Sequence, residues 1–307
     1  GSYRLRINKE GYHEVLYPVH IGRGEHWDCV PPEGGDAVPV KMLPLGSLGK
    51  DDCHVPAGWF WSGGDPGTLR SLPRRRIWMD GLVFRRFPVT NREYLVFLDD
   101  LVAQGREEDA LKWVPRERAG QAGQLGAMIY GRKADGRFEL VPDAEGHEWL
   151  PDYPVCMVTW HCAVAYAQWE AERSGLPWRL PFSLEWEKAA RGVDGRFHPW
   201  GDGFNPSFGC MAQSHKGARL PVVVDSFPVD ETVYGIRGMA GNMMDWTASL
   251  WKEEGPTIEN HRLAESIDMS NTGSYRVLRG GSWGSDASTL RSAFRNYNYP
   301  GDSYSRF

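Results

Sequence analysis

Helical periodicity is confined to three short segments of this 307-residue chain. Apolar residues recur at helical spacing over residues 91–103, 160–174 and 183–190, and the capping-box residues Thr90 and Glu93 open the first segment. The chain also contains 36 glycines and 14 tryptophans. Glycine permits tight turns, and large indole rings fill space where regular elements are few. The sequence therefore predicts an irregular, loop-rich fold with two or three helices and few short strands.

The chain divides by composition into three parts. Residues 1–28 predict a short β segment, because Tyr3 and Leu5 alternate with arginines and a second apolar run follows. Residues 29–50 are rich in Pro and Gly, which predicts a linker or an irregular wrap. The main domain is expected over residues 51–307. Its strand candidates lie at residues 77–87, 222–224 and 275–278.

Charge and cysteine usage exclude several classes of protein. The net charge of -5 argues against broad nucleic-acid binding, which needs a basic face. No apolar run reaches the roughly 18 residues of a membrane span, and no secretory signal pattern is present. The five cysteines are odd in number and loosely spaced, which predicts free, mostly buried thiols in a reducing, cytoplasmic compartment. One disulfide is the alternative.

Five stretches, in a fixed order, carry a resemblance to a known family. They contain FPVTN at residues 87–91, residues 154–166, EWEKAARG at 185–192, GMAGNMMDW at 238–246 and RGGSW at 279–283. Together they resemble the formylglycine-generating-enzyme (sulfatase-modifying factor) family over residues 51–307. The resemblance implies an α+β domain with the irregular C-type-lectin fold of that family.

The N-terminal segment carries a second resemblance. Residues 1–28, with Tyr3, Leu5 and Tyr12, look like the end of a small β domain of the PEGA type. Such pieces join Ser/Thr kinase domains to this fold in bacteria. The resemblance implies that the chain belongs to a larger kinase-type protein.

The motif around Asn242 and Asp245 suits a cation. An amide oxygen and a carboxylate three residues apart on a tight turn are oxygen ligands of the kind that Ca²⁺ prefers. The family resemblance implies a structural calcium here, although Asp245 stands where relatives commonly have Glu. The alternative is that Asn242 and Asp245 cap backbone groups of the turn.

The chemistry of the family's enzymes needs residues that this chain lacks. The resemblance implies two copper-binding cysteines near positions 285 and 290, where this chain has Ser285 and Leu290, and no cysteine follows Cys210. The iron-dependent members use three histidines, and no two of the nine histidines here lie four residues apart on a predicted helix. No GxSxG, P-loop or HExxH motif occurs. We therefore expect no copper site and no enzyme activity.

The C-terminal segment, residues 284–307, has an unusual composition. It is rich in Tyr, Asn, Ser, Asp and Gly and lacks Lys, Glu, Gln, Met and Trp. Those five missing types cannot be reached from an Asn codon by changing its adenines alone. This pattern, and the frame that surrounds it, resemble the variable region of proteins diversified by a retroelement.

This resemblance implies fixed and variable positions within residues 284–305 and among the residues just before them. The fixed frame would include Arg279, Trp283, Arg291 and Arg295. The variable, ligand-contacting positions would be Ser285, Asp286, Ala287, Ser288, Thr289, Phe294, Asn296, Tyr297, Asn298, Tyr299, Asp302 and Tyr304.

The composition of the variable positions favours binding. Tyrosine supplies a large contact area at low entropy cost, and Ser, Gly and Asn adapt their hydrogen bonds, as in antibody paratopes. The resulting hypothesis is a non-catalytic protein that binds a protein or another macromolecule at this surface. Two alternatives stay open: an undiversified accessory or sensor domain of a kinase-like protein, and a family enzyme of unrecognised chemistry.

Overall fold

The computed structural model describes residues 1–27, 29–117, 126–143, 146–217, 219–304 and 306. Within these residues the fold is α+β, with four α-helices and five small sheets of two to four short strands. Loops join nearly all of these elements. The α+β class and its loop-rich character are confirmed, although the helices number four where two or three were predicted.

The helices begin and end at recognisable signals. They are α1 Asn91–Ala103, α2 Glu107–Trp113, α3 Trp160–Ser174 and α4 Ser183–Arg191. Thr90 accepts a hydrogen bond from the Glu93 amide, and the Glu93 carboxylate accepts one from the Thr90 amide, which is the predicted capping box. Gly175 ends α3 with a φ of 69°, a left-handed conformation that glycine adopts without strain.

One helix was not predicted from the sequence, and the helix predicted at 183–190 is confirmed as α4. The sequence did not reveal α2, because it has only seven residues and buries just Ala110, too little for a periodic pattern. Helix α4 buries all nine of its residues and packs against strands on several sides. At its start the Glu185 carboxylate accepts a hydrogen bond from the Phe182 amide at 2.7 Å.

The strands form five separate sheets. The hairpin β1 Ser2–Ile7 and β2 Val15–His20 stands at the N-terminus, and β3 Asp52–Val55 pairs with β6 Leu82–Arg85. The remaining strands are β4 Gly58–Ser62, β5 Arg75–Met79, β7 Tyr130–Arg132, β8 Phe138–Leu140, β9 Asp245–Leu250, β10 Ile258–Glu259, β11 Arg262–Leu263, β12 Arg276–Arg279 and β13 Asn296–Asn298. The sheet that positions the candidate site has the order β13-β12-β9.

Two strand predictions are corrected by the structure. The run at 77–87 is two strands in different sheets, β5 and β6, because the chain turns at Asp80 and Gly81 between them. Residues 222–224 form no strand, because the backbone of Val222 is bonded to the side chain of Asn242 instead.

The N-terminal hairpin packs against the segment that follows it. Val15, Tyr17 and Val19 of β2 are buried, and Val40 and Met42 of the segment 29–50 pack against them. The side chains of β1 are mostly exposed. The division at residues 28 and 50 stays a prediction.

The five thiols are free, as expected, and four of them are buried. Burial raises the pKa of the Cys156 and Cys210 thiols to about 12, because a thiolate would lose its hydration. Among the described residues, no helix is long and apolar enough to cross a bilayer.

Candidate ligand-binding surface

A buried ion cluster underlies the C-terminal segment. The Glu187 carboxylate of α4 lies between the guanidinium groups of Arg191 and Arg279, and it also accepts a hydrogen bond from the Gly63 amide at 2.7 Å. Burial disfavours the ionised form of Glu187, but the charges of Arg279 and Arg191 outweigh it and hold its pKa below the ordinary value. Arg279 also donates to the Phe294 carbonyl at 2.6 Å. The cluster therefore ties β12 and the chain after it to α4.

Arg291 fixes a second loop to the same segment. Its guanidinium donates two hydrogen bonds, at 2.7 and 2.8 Å, to the carboxylate of Asp65, which is buried. In the loop that follows Asp65, Thr68 donates to the Ser288 carbonyl at 2.6 Å and Arg70 donates to the Asn296 amide oxygen at 2.8 Å. This loop therefore lies between the two halves of the predicted variable region.

The other two frame residues support aromatic rings or fill the core. Arg295 donates to the Lys252 carbonyl at 2.7 Å, and its guanidinium lies 4.4 Å from the centre of the Trp251 ring. Trp283 is half-buried against the main core, with the Arg306 guanidinium over its ring. All four predicted frame residues thus contact the scaffold.

Four aromatic side chains meet at the surface beside this frame. Trp251, Tyr275, Tyr297 and Tyr299 form what we call the aromatic patch. The ring centres lie 4.4 Å apart for Trp251 and Tyr297, 4.8 Å for Tyr275 and Tyr297, and 4.0 Å for Tyr275 and Tyr299. Tyr299 is 46% exposed and the other three are half-buried. The Arg70 guanidinium lies 4.9 Å from the centre of the Tyr297 ring, so a cation stacks on the edge of the patch.

Hydrogen bonding and backbone contacts order the patch. A hydrogen bond between Tyr275 and Tyr299 raises the pKa of the Tyr275 phenol. Tyr297 lies on β13, which pairs with β12, and β12 begins at the residue after Tyr275. The rings therefore stand on a paired sheet edge and hold one another in place.

Most predicted ligand-contacting residues are at least partly accessible. These are Asp286, Ala287, Ser288, Thr289, Asn296, Tyr297, Asn298, Tyr299, Asp302 and Tyr304. They fall into two groups, residues 286–289 and 296–304, which the loop after Asp65 separates. Tyr304 packs against the main core with part of its ring, so it offers less area than Tyr299.

Ser285 and Phe294 correct the prediction, since they do not lie on the surface. Ser285 is 7% exposed, because its hydroxyl pairs with that of Ser282 at 2.8 Å. Phe294 is 4% exposed, and its main-chain carbonyl accepts a hydrogen bond from Arg279. Neither side chain can contact a ligand without rearrangement.

Three residues of the surface were not predicted from the sequence. Arg70, Trp251 and Tyr275 lie outside residues 284–305 and join the patch only through the path of the chain. The abundance of tryptophan was the one hint, and it did not distinguish Trp251 from the others.

Asn242 and Asp245 occupy different surroundings. The Asn242 side chain accepts from the Val222 amide at 3.0 Å and donates to the Val222 carbonyl at 2.8 Å, and its φ is 69°. One Asp245 oxygen accepts from the Trp186 indole at 2.8 Å, and burial raises the pKa of Asp245 to about 6. Asn242 thus ties two loops together, which fits the turn-capping alternative better than a ligand set. Calcium at this motif stays a prediction.

The positions expected for the copper-binding cysteines lie in the interior. Leu290 is 1% exposed and packs with Met211 and Ala240, and Ser285 is hydrogen-bonded to Ser282. Among the described residues, no group of three His, Cys, Asp or Glu side chains is arranged to hold a metal ion.

Comparison with known proteins supports the fold and relates the chain to several proteins. Residues 47–307 match the family model described as sulfatase-modifying factor enzyme 1-like domain. Hercynine oxygenase of Mycolicibacterium smegmatis is 31% identical over 97% of this chain and 68% of its own length. The inactive C-alpha-formylglycine-generating enzyme 2 of Mus musculus is 30% identical over 85% of both chains. Serine/threonine-protein kinase Pkn1 of Chlamydia trachomatis is 30% identical over 80% of this chain and 35% of its own length.

Two solved structures share the fold. PvdO from Pseudomonas aeruginosa superimposes with a TM-score of 0.61 at 19% identity, covering 84% of this chain and 93% of that one. Treponema denticola variable protein 1 superimposes with a TM-score of 0.54 at 17% identity, covering 88% of this chain and 97% of that one. At these identities the likeness concerns the fold alone.

Proposed function

The chain belongs to the family of sulfatase-modifying factor enzyme 1-like domains, and we propose that within this family it binds a macromolecular ligand and does not catalyse a reaction. The ligand contacts the aromatic patch and the polar side chains around it. The observation that carries the proposal is the aromatic patch itself, one exposed and three half-buried rings on a frame held by ion pairs to buried carboxylates.

The frame makes this surface suitable for binding. Arg279, Arg291 and Arg295 are each hydrogen-bonded to the scaffold, so the backbone beneath the patch is ordered before a ligand arrives. Binding then costs little ordering entropy. Tyrosine and tryptophan rings bury large areas and dominate the energetics of protein interfaces. A protein is therefore the class of ligand that the surface fits best.

We further propose that a retroelement diversifies the accessible positions among residues 286–304. Two observations support this. The segment contains only residue types that can be reached from an Asn codon by changing its adenines, and the accessible positions are distinct from the frame residues that contact buried groups. The shared fold with Treponema denticola variable protein 1 is compatible with it. Sequencing the locus tests the idea directly. A nearby template repeat and reverse transcriptase gene, with differences restricted to template adenines, are expected. A locus without a template repeat would refute diversification and leave the binding proposal standing.

A display library tests the binding surface. In the surface library, the codon of each chosen position is replaced by AAC in which the adenines are randomised. The chosen positions are Asp286, Ser288, Asn296, Tyr297 and Tyr299. A matched library randomises the codons of the frame residues. The surface library should retain folded protein in most clones and yield binders to a test protein such as lysozyme. The frame library should lose folded protein, because its members contact buried groups. Equal folding losses in both libraries would contradict the proposed division of labour.

The contribution of the patch is then measured on a selected binder that retains Tyr299. Tyr299→Ala should weaken that binder at least about tenfold, as expected for an interface tyrosine. Tyr3→Ala is the matched control, because Tyr3 is 58% exposed on β1, outside the patch, and its loss should leave affinity unchanged. An equal effect of both substitutions would show that the patch is not the binding site.

A second candidate is an accessory or sensor domain of a kinase-type chain, in a reducing compartment. The similarity to Pkn1, of which this chain spans 35%, favours it, and so does the N-terminal hairpin. Close relatives with an unvaried C-terminal segment would support this alternative over diversification.

A further inference from the structure

A large cavity lies apart from the aromatic patch. Its volume is about 900 Å³, within the range of small-molecule sites, and no member of the aromatic patch lines it. Its walls come from Phe84 of β6, Tyr166 and Ala167 of α3, the loop at Trp178, and Val38 of the N-terminal wrap. The wrap segment 29–50 therefore closes one side of a mostly apolar chamber.

The carboxylates that line this cavity differ in whether a cation or a backbone amide already partners them. Five of them already have a cation or a backbone amide as partner: Asp52 and Glu170 with Arg85, Asp80 with Arg262, Glu93 with the Thr90 amide, and Glu185 with Arg179. Asp245 is the exception among the described residues, since its side chain has one hydrogen bond, from the Trp186 indole, and no ion pair. It is nevertheless partly accessible, because it faces the cavity.

We propose that this cavity binds a small organic amine whose ammonium group pairs with Asp245 and whose apolar body packs on the aromatic walls. A carboxylate inside an apolar site is stabilised by a cation that pairs with it. The apolar walls select an aliphatic or aromatic body over a hydrated inorganic ion. Nothing in this proposal depends on the ligand of the aromatic patch.

The probe is 4-phenylbutylammonium, compared with the neutral 4-phenylbutanol and the anionic 4-phenylbutanoate. Binding to the full chain is measured by isothermal titration calorimetry and saturation-transfer NMR at about pH 8 with EDTA present, so that the carboxylate is ionised and divalent cations are absent. The ammonium should bind at one site, roughly ten- to hundredfold more tightly than the alcohol, as expected for a charge-assisted hydrogen bond. The anion tests whether Arg237, which also lines the cavity, attracts a negative charge. We expect the anion to bind most weakly of the three probes.

Two helix variants locate the site. Ala167→Trp on α3 places an indole in the cavity and should abolish binding, whereas Gln168→Trp on the exposed side of the same helix should leave it unchanged. Asp245→Asn keeps an acceptor for Trp186 and should reduce ammonium binding about tenfold or more while sparing the alcohol.

Three results would overturn the proposal. They are equal binding of the ammonium and the alcohol, preference for the anion, and binding that survives Ala167→Trp. Thermal unfolding of each variant identifies any that fails to fold, and the probe series on the unaltered chain decides the question without them.

Discussion

Removing the charge of Glu187 should strongly destabilise the protein. Its carboxylate lies between Arg191 and Arg279, and all three side chains are at most 1% exposed. Glu187→Gln preserves the shape and one acceptor oxygen, but it leaves two guanidinium groups in the interior without a counter-charge. The protein must then carry excess buried positive charge, which is strongly unfavourable.

The expected loss follows from the burial of the cluster. Breaking a fully buried ion pair by removing one partner costs about 3–5 kcal/mol. Because Gln retains a hydrogen-bond acceptor for the Gly63 amide, we expect the lower end, about 3 kcal/mol. With a urea dependence of about 3 kcal/mol per M for a chain of this size, the unfolding midpoint should fall by about 1 M.

Urea unfolding followed by tryptophan fluorescence measures the loss, and pH supplies a second readout. The folded-state pKa of Glu187 is below the unfolded value near 4.5, so its contribution is present above that pH and disappears as the pH falls through the folded value. The difference between the two proteins should therefore narrow below about pH 4. Glu172→Gln on the exposed face of α3 is the control and should change stability by at most about 0.5 kcal/mol. A Glu187→Gln loss below about 1 kcal/mol would refute the reasoning.

Three further changes test other parts of the structure. Gly241→Ala should cost about 1–3 kcal/mol, because a Cβ there would collide with the Cys210 carbonyl, whereas Gly203→Ala meets nothing within 4 Å and should be nearly neutral in urea unfolding. Thr90→Ala removes the cap of α1 and should cost about 1 kcal/mol; no loss would show that the capping box is not formed in solution. An aromatic disulfide reagent at about pH 8 should label at most Cys29 in the native protein and all five thiols in urea, and rapid native labelling of Cys156 would contradict its burial.

Local patterns in the sequence were sufficient for several elements. The helix at 91–103 was predicted from a capping box and apolar spacing, and Gly175 correctly marked the end of the helix at 160–174. Such signals act within one or two turns, so the chain carries them wherever it folds. The order of five motifs was enough for the family and hence for the fold.

The candidate site depended on contacts between distant segments. Trp251, Tyr275 and Tyr297 meet only because β9, β12 and β13 form one sheet, and Arg70 reaches them because Arg291 holds its loop at Asp65. Local sequence could identify a tyrosine-rich segment, but it could not tell that Phe294 turns inward.

The motif at Asn242 and Asp245 shows the same difference between what local sequence determines and what distant contacts determine. The sequence by itself determined that two oxygen-bearing side chains stand three residues apart on a turn. Only the tertiary structure decided that Asn242 binds the Val222 backbone while Asp245 faces a cavity. The physical reason is that a side chain's partner and its exposure are set by whichever remote segment packs against it, and spacing along the chain carries no information about that segment.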